Sequence, residues 1–224
     1  MAALTWDKTG EKLYETGIEQ VALYPFDGTD PTKPYPAGVA WNGITALNIT
    51  PSGAEATALY ANNKKYLTLM SNEEIGGTIE AYTYPDEWAA CDGSAELADG
   101  VYIGQQARKT FGLVGKTLIG NDTDGNTHGY KLHLIYGALA SPSEKTNATV
   151  NDSPEAQTMS WEFTTTPVDV AGFKPTSYIC IDSTKADKTK LAALEAILYG
   201  SKEGSEGPRL PLPEEVKTLM VTAG

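Results

Sequence analysis

Two stretches of the chain alternate apolar and polar residues without error. In Thr78-Ile-Glu-Ala-Tyr-Thr-Tyr84 the odd positions are Ile79, Ala81 and Thr83, and the even ones are Thr78, Glu80, Tyr82 and Tyr84. In Thr158-Met-Ser-Trp-Glu-Phe-Thr164 the odd set is Met159, Trp161 and Phe163, and the even set is Thr158, Ser160, Glu162 and Thr164. A period of two with one apolar face marks a strand packed on one side and polar on the other. Ile79, Met159, Trp161 and Phe163 are therefore expected core residues. Residues 18–25 read as a further strand, 39–49 as another bent at Gly43, and 66–70 as a short one. Residues 105–119 and 129–139 flank Asn121-Asp-Thr-Asp-Gly-Asn-Thr127, where Asp124-Gly125 supplies the positive φ of a hairpin turn.

One segment follows a helical period instead. Asp187 can cap residues 188–199, Leu191, Leu194 and Leu198 fall on one stripe, and Gly200 is placed to end the helix. That stripe has to cover an edge or a face of the sheet. Residues 85–90 read as a second, short helix, 200–213 as loop, and 214–221 as strand or helix. The expected fold class is thus mainly β with one flanking helix, α+β. Its 224 residues, 41% of them hydrophobic, suit a single domain with a real core. We divide it into an N-terminal arm (1–17), a β core with its helix (18–199) and a C-terminal segment (200–224).

No apolar run approaches the roughly 18 residues that span a bilayer, so a soluble chain is expected. Met1-Ala-Ala-Leu-Thr-Trp-Asp-Lys8 lacks the basic start and apolar core of a secretory signal. Cys91 and Cys180 make no disulfide framework, and we expect two buried, reduced thiols.

Charge narrows the function. There are 29 acids against 17 bases, a net −12. A protein that reads nucleic acid uses Lys and Arg to displace counterions from phosphate, so sequence-specific binding of that kind is disfavoured. The deficit of bases is local. From Ser71 to Ala107 there are eight acids (Glu73, Glu74, Glu80, Asp86, Glu87, Asp92, Glu96, Asp99) and no Lys or Arg. They are interleaved with Ile75, Ile79, Trp88 and Leu97, so the span is folded surface. It serves either ordinary solubility or a single-sign field that repels a polyanion or attracts a cationic partner.

Several fragments with a chemical look fail on spacing. Gly115-Lys116-Thr117 lacks the glycine five positions earlier that a phosphate loop needs, Thr110 standing there. With Gly125 at position six of a calcium loop, positions one and twelve are Gly120 and Lys131, neither of which closes the site. His128 and His133, five apart across a strand start, are expected on opposite faces and share no metal. Glu73-Glu74 and Asp86-Glu87 are adjacent carboxylates, which diverge where glycoside hydrolysis needs two that converge. No catalytic, cofactor or metal site is expected.

Seven strings carry a resemblance: Tyr35-Pro-Ala-Gly-Val-Ala-Trp-Asn-Gly-Ile44, Pro51-Ser-Gly-Ala-Glu-Ala56, Thr78-Ile-Glu-Ala-Tyr-Thr-Tyr-Pro-Asp-Glu-Trp88, Gly104-Gln-Gln-Ala-Arg-Lys-Thr-Phe-Gly112, Gly120-Asn-Asp122, His128-Gly-Tyr-Lys-Leu-His133 and Ser160-Trp-Glu-Phe-Thr-Thr-Thr-Pro167. In number and order they resemble the major tail proteins of long, non-contractile-tailed phages and prophages of Gram-positive bacteria, over nearly the whole chain. The resemblance implies a β-sandwich or partly closed barrel with extended arms and loops. It implies self-assembly into hexameric rings, stacked around a tape-measure protein into a hollow tail tube through which DNA leaves the virion. The partners it implies are further copies of the chain, the tape-measure protein and tail terminator and tip proteins, with DNA passing unbound, no membrane, and synthesis in the host cytoplasm. Some relatives add a C-terminal immunoglobulin-like domain, for which 224 residues leave no expected room.

A negative tube wall repels the DNA backbone and lets it slide. Lumen-facing acids are therefore expected among Glu80, Glu73, Glu74, Asp86 and Glu87, Glu80 leading. Ring and stacking contacts are expected from the N-terminal arm, residues 50–65 and the segment after Gly200. Two other readings stay open: a sugar-binding β-sandwich using some of its 12 Tyr and 4 Trp, and a hydrolase with dispersed carboxylates.

Overall fold

The computed structural model describes residues 3–149, 152, 156–201 and 207–221. Its main sheet has eight antiparallel strands: β1 (Tyr14–Pro25), β2 (Val39–Ala40), β3 (Ile44–Gly53), β6 (Glu73–Ala81), β9 (Phe111–Asn121), β10 (Gly125–Ala140), β11 (Met159–Thr165) and β12 (Tyr178–Asp182). Two detached ribbons are built from β4 (Ala56–Ala61) with β5 (Lys64–Met70) and from β7 (Ala95–Ala98) with β8 (Val101–Ile103). The helices are α1 (Trp88–Asp92), α2 (Lys188–Tyr199) and α3 (Pro213–Met220).

Along the sheet the order is β2-β1-β9-β10-β11-β6-β3, and β12 lies beside β10. The long strand β10 changes partner midway. Its residues 131–135 pair with β12, whereas 138–140 pair with β11. The switch falls at a bulge containing Gly137, whose φ is +59° and where a Cβ would lie 2.3 Å from the Thr166 carbonyl. Only glycine fits both constraints. Beyond it the sheet curls, so that β1 and β3, near opposite ends of the path, come into contact.

The curl encloses one apolar cluster. Leu23 of β1, Phe111 and Leu113 of β9, Ile79 of β6 and Trp161 and Phe163 of β11 are buried there, with Trp88 of α1 plugging the interior. Trp41, Trp88 and Trp161 pack mutually at ring separations of 4.7 to 5.7 Å, tilted or edge-on, the geometry that the ring quadrupole favours. Ile79 and Ala81 point inward as the alternation requires, and Met159 packs at the margin. Gly77 makes room for Phe163, whose ring would stand 2.8 Å from a Cβ at that position.

A second cluster lies on the other face of β1, β9, β10 and β12. Val114, Leu132 and Leu134 meet Leu191, Leu194 and Leu198 of α2 there, and Leu210 and Val216 complete it. Asp187 caps α2 by accepting hydrogen bonds from the backbone N–H groups of Thr189 and Lys190 at 2.9 and 3.0 Å.

Several expectations need correction. Two helices, not one, flank the sheet. Of the two alternatives for 214–221 the helix is found, as α3, and the segment from 207 is packed on the body: Leu210 N–H donates to the Tyr35 carbonyl, Arg209 N–H donates to the Ile197 carbonyl, and α3 lies beside α2. The rest of the C-terminal segment, 202–206 and 222–224, lies outside the described residues, as do Met1 and Ala2 of the N-terminal arm. Residues 14–17 belong to β1, not to that arm. Residues 39–49 form two strands on opposite edges of the sheet, because Gly43 turns the chain with φ +78°. The strand expected from 105 begins at Phe111, and the helix expected over 85–90 begins at Trp88. Cys91 is buried, with its thiol pushed up to about 12 by burial. Cys180 is exposed, since alternation turns it away from the helix-covered face that Ile181 occupies.

Candidate functional site

The segment that the helices leave uncovered is β3-β6-β11. Its pairing aligns Ala46, Glu80 and Ser160 in one cross-strand row, Asn48, Thr78 and Glu162 in the next, and Thr50, Gly76 and Thr164 in a third. These are the residues opposite in pleat to Leu47, Ile79, Trp161 and Phe163, so they form the outer face. Asn48 Nδ2 donates to Thr78 Oγ1 at 2.9 Å, tying two strands together across it. The three strands carry Glu73, Glu74, Glu80 and Glu162 and no Lys or Arg. Small polar side chains and unopposed carboxylates therefore make an anionic outer sheet face.

The five candidate acids do not share one face. Glu80 stands on the outer face, flanked by Ala46 and Ser160. Glu74, six residues earlier on an unbulged strand, shares that face near the end of β6, beside Ser52. Glu73 alternates to the opposite side. Asp86 and Glu87 are exposed on the turn entering α1, off the sheet altogether. Glu162 joins Glu80 instead. Its place in the polar set of 158–164 was the signal for it, but it lies outside the base-free span. That span is also less uniform in space than in sequence, for Asp92 is approached by Arg108 at 3.8 Å and Lys145 at 3.7 Å.

The Asp122-Asp124 turn holds the N-terminal arm. Asp122 Oδ1 accepts from Gly10 N–H at 2.9 Å, and Asn121, buried at the turn, donates to the Gly10 carbonyl at 3.2 Å. Tyr14 donates to Asn126 Oδ1 at 2.8 Å. His128 Nδ1 lies 3.0 Å from Asp124, and this bond, with one from Asn121, holds the Asp124 carboxyl below its ordinary value. His133 sits elsewhere on β10, stacked on Tyr178, its Nε2 2.8 Å from Thr117 Oγ1 and its Nδ1 2.7 Å from the Tyr178 hydroxyl. Burial lowers its pKa. Lys116 of the Gly-Lys-Thr string lies in β9, over the Tyr130 ring and 3.6 Å from Glu19. Among the described residues no three His, Cys, Asp or Glu side chains gather as a metal set, and no helix is long and apolar enough to cross a membrane.

The aromatic residues divide too. Trp88 and Trp161 are sealed in the core, Trp41 is buried at its edge, and Trp6, in the arm, is exposed. Two shallow depressions, of about 420 and 610 Å³, are lined by Tyr14, Glu15 and Lys131 and by Val21, Trp41 and Tyr199 respectively. Against known proteins, neither a family model nor a curated sequence matches this chain.

Proposed function

We infer that this chain is a structural protein, not an enzyme, which self-assembles into stacked rings enclosing a hollow tube of the phage tail type. The outer face of β3-β6-β11 carries the reading. A sheet face rich in Ser, Thr and Asn, with Glu80 and Glu162 and without a base, is suited to pass a polyanion without holding it. Multiplied around a ring, it makes a repelling wall. Glu74 extends that wall toward one end of each subunit, while Glu73, Asp86 and Glu87 face other surroundings. The sandwich-like curl and the exposed ribbons agree with the tail-tube architecture that the sequence resembles.

On this reading the partners are further copies of the chain, a tape-measure protein inside the tube, and terminator and tip proteins at its ends. The mature location is the virion tail. Negative-stain electron microscopy of the purified protein tests it. Hollow tubes of stacked rings are expected. A monomer at high concentration that binds glycans, or that hydrolyses them, would overturn the reading.

A further inference from the structure

Two ribbons leave the body with their apolar side chains uncovered. The β4–β5 ribbon continues the β3–β6 pair outward, and its turn is Asn62-Asn63, both in the left-handed region at φ +53° and +59°, as a tight hairpin turn requires. Leu59 stands opposite Leu67, and Thr57 opposite Leu69, so three leucines share one face. All three are exposed to some degree, and Tyr60, Tyr66 and Met70 are 70 to 72% exposed. The β7–β8 ribbon shows Leu97, Val101, Tyr102 and Ile103. A two-stranded ribbon has little independent stability in water, and large apolar side chains exposed on both of its faces mark a contact surface.

Their charges are opposite. The only charged residues from Ala56 to Met70 are Lys64 and Lys65, beside the tip of the first ribbon. The only charged residues from Ala95 to Ile103 are Glu96 and Asp99, around the turn of the second. In a chain of net −12, a wholly basic ribbon has few reasons to be where it is other than a defined acidic target. A lipid surface fits less well, because the rest of this acidic molecule would be repelled by anionic headgroups.

Resting on the ring-and-tube reading above, we propose that the β4–β5 ribbon of one copy docks on the β7–β8 ribbon of a neighbouring copy, Lys64 and Lys65 meeting Glu96 and Asp99 while the apolar faces close on each other. The two patches differ, so the contact is heterologous. Each copy gives one and receives one, and the series either closes as a ring or continues as a stack.

Charge reversal in the full chain tests this by sedimentation velocity and electron microscopy. Lys64→Glu with Lys65→Glu, and separately Glu96→Lys with Asp99→Lys, are each expected to weaken self-association tenfold or more. A 1:1 mixture of the two variants should regain it, because each now complements the other, and regain also proves both folded. In a Cys180→Ser background, Tyr66→Cys and Tyr102→Cys proteins should be joined by a bismaleimide only when mixed. If the wild type forms tubes and each reversal does so equally, or the mixture gains nothing, this contact is wrong and the tube reading stands. A wild type that never associates removes both. Wild-type protein that sediments with phosphatidylglycerol vesicles, and loses this on reversal of Lys64 and Lys65, would overturn the contact in favour of lipid.

Discussion

The two halves of the sheet are built from the same kind of strand and end in different surroundings. Where β1, β9 and β10 cross the body, at 21–24, 111–115 and 134–136, both faces are buried, one by the curled sheet and the other by α2 and α3. In β3-β6-β11 only the inner face is buried, and the outer one is polar and anionic. The first half therefore reads as near-continuous apolar sequence, as in Phe111-Gly-Leu-Val-Gly115, and the second as strict alternation. A face left bare at the expense of burial is available for work that a packed face cannot do.

Substitutions should separate the halves by size of effect. Trp161→Ala empties the shared inner core and is expected to cost about 3–5 kcal/mol. Leu194→Ala, beneath α2, should cost about 2–5 kcal/mol, because Leu194 is fully buried on the covered side. Equilibrium urea unfolding of the dilute, unassembled protein measures both. A loss below about 1 kcal/mol for Leu194→Ala would mean that the helices do not seal that half. Asp187→Ala removes only the cap of α2 and should cost about 1 kcal/mol.

The same contrast explains what could be read in advance. Ile79, Trp161 and Phe163 were legible because a one-sided strand prints its orientation in its alternation. The helix was legible from Asp187, the leucine stripe and Gly200. The 56–61 strand is hidden in the sequence because Ala-Thr-Ala-Leu-Tyr-Ala alternates nothing when both faces are exposed. The ribbon at 95–103 and α3 were too short for a period to establish itself. Glu73 and Glu74 looked equivalent in sequence, yet the pleat sends adjacent residues to opposite faces. Asp86 and Glu87 belonged to a charge count that carries no spatial information.

A smaller effect is pH-dependent and belongs to the covered half's flank. Burial holds His133 below its ordinary 6.5, with Glu15 and Lys131 as its charged neighbours acting in opposite senses. The unfolded chain then binds the proton first, so stability falls as pH drops through 6.5 toward the lower folded value. At pH 7 and above this penalty is absent. Urea midpoints at pH 7 and pH 5 should show a smaller decline for His133→Gln than for the wild type. An equal decline would assign the acid sensitivity to other groups.

The smallest effect on stability is expected on the bare face, where it carries the most about function. Glu80→Gln and Glu162→Gln remove no packed atoms, so each should stay within about 0.5 kcal/mol of the wild type. Glu80→Lys with Glu162→Lys should also fold and assemble, yet turn a repelling wall into a phosphate-binding one. Assembled tubes of that double variant should retain duplex DNA in a salt-dependent manner, and part of it should resist nuclease because it lies inside. Wild-type tubes should retain none. Retained DNA that stays fully nuclease-sensitive would put Glu80 and Glu162 on the outside of the tube. The bare half would then be a solubility face, and the difference between the two halves would concern folding alone.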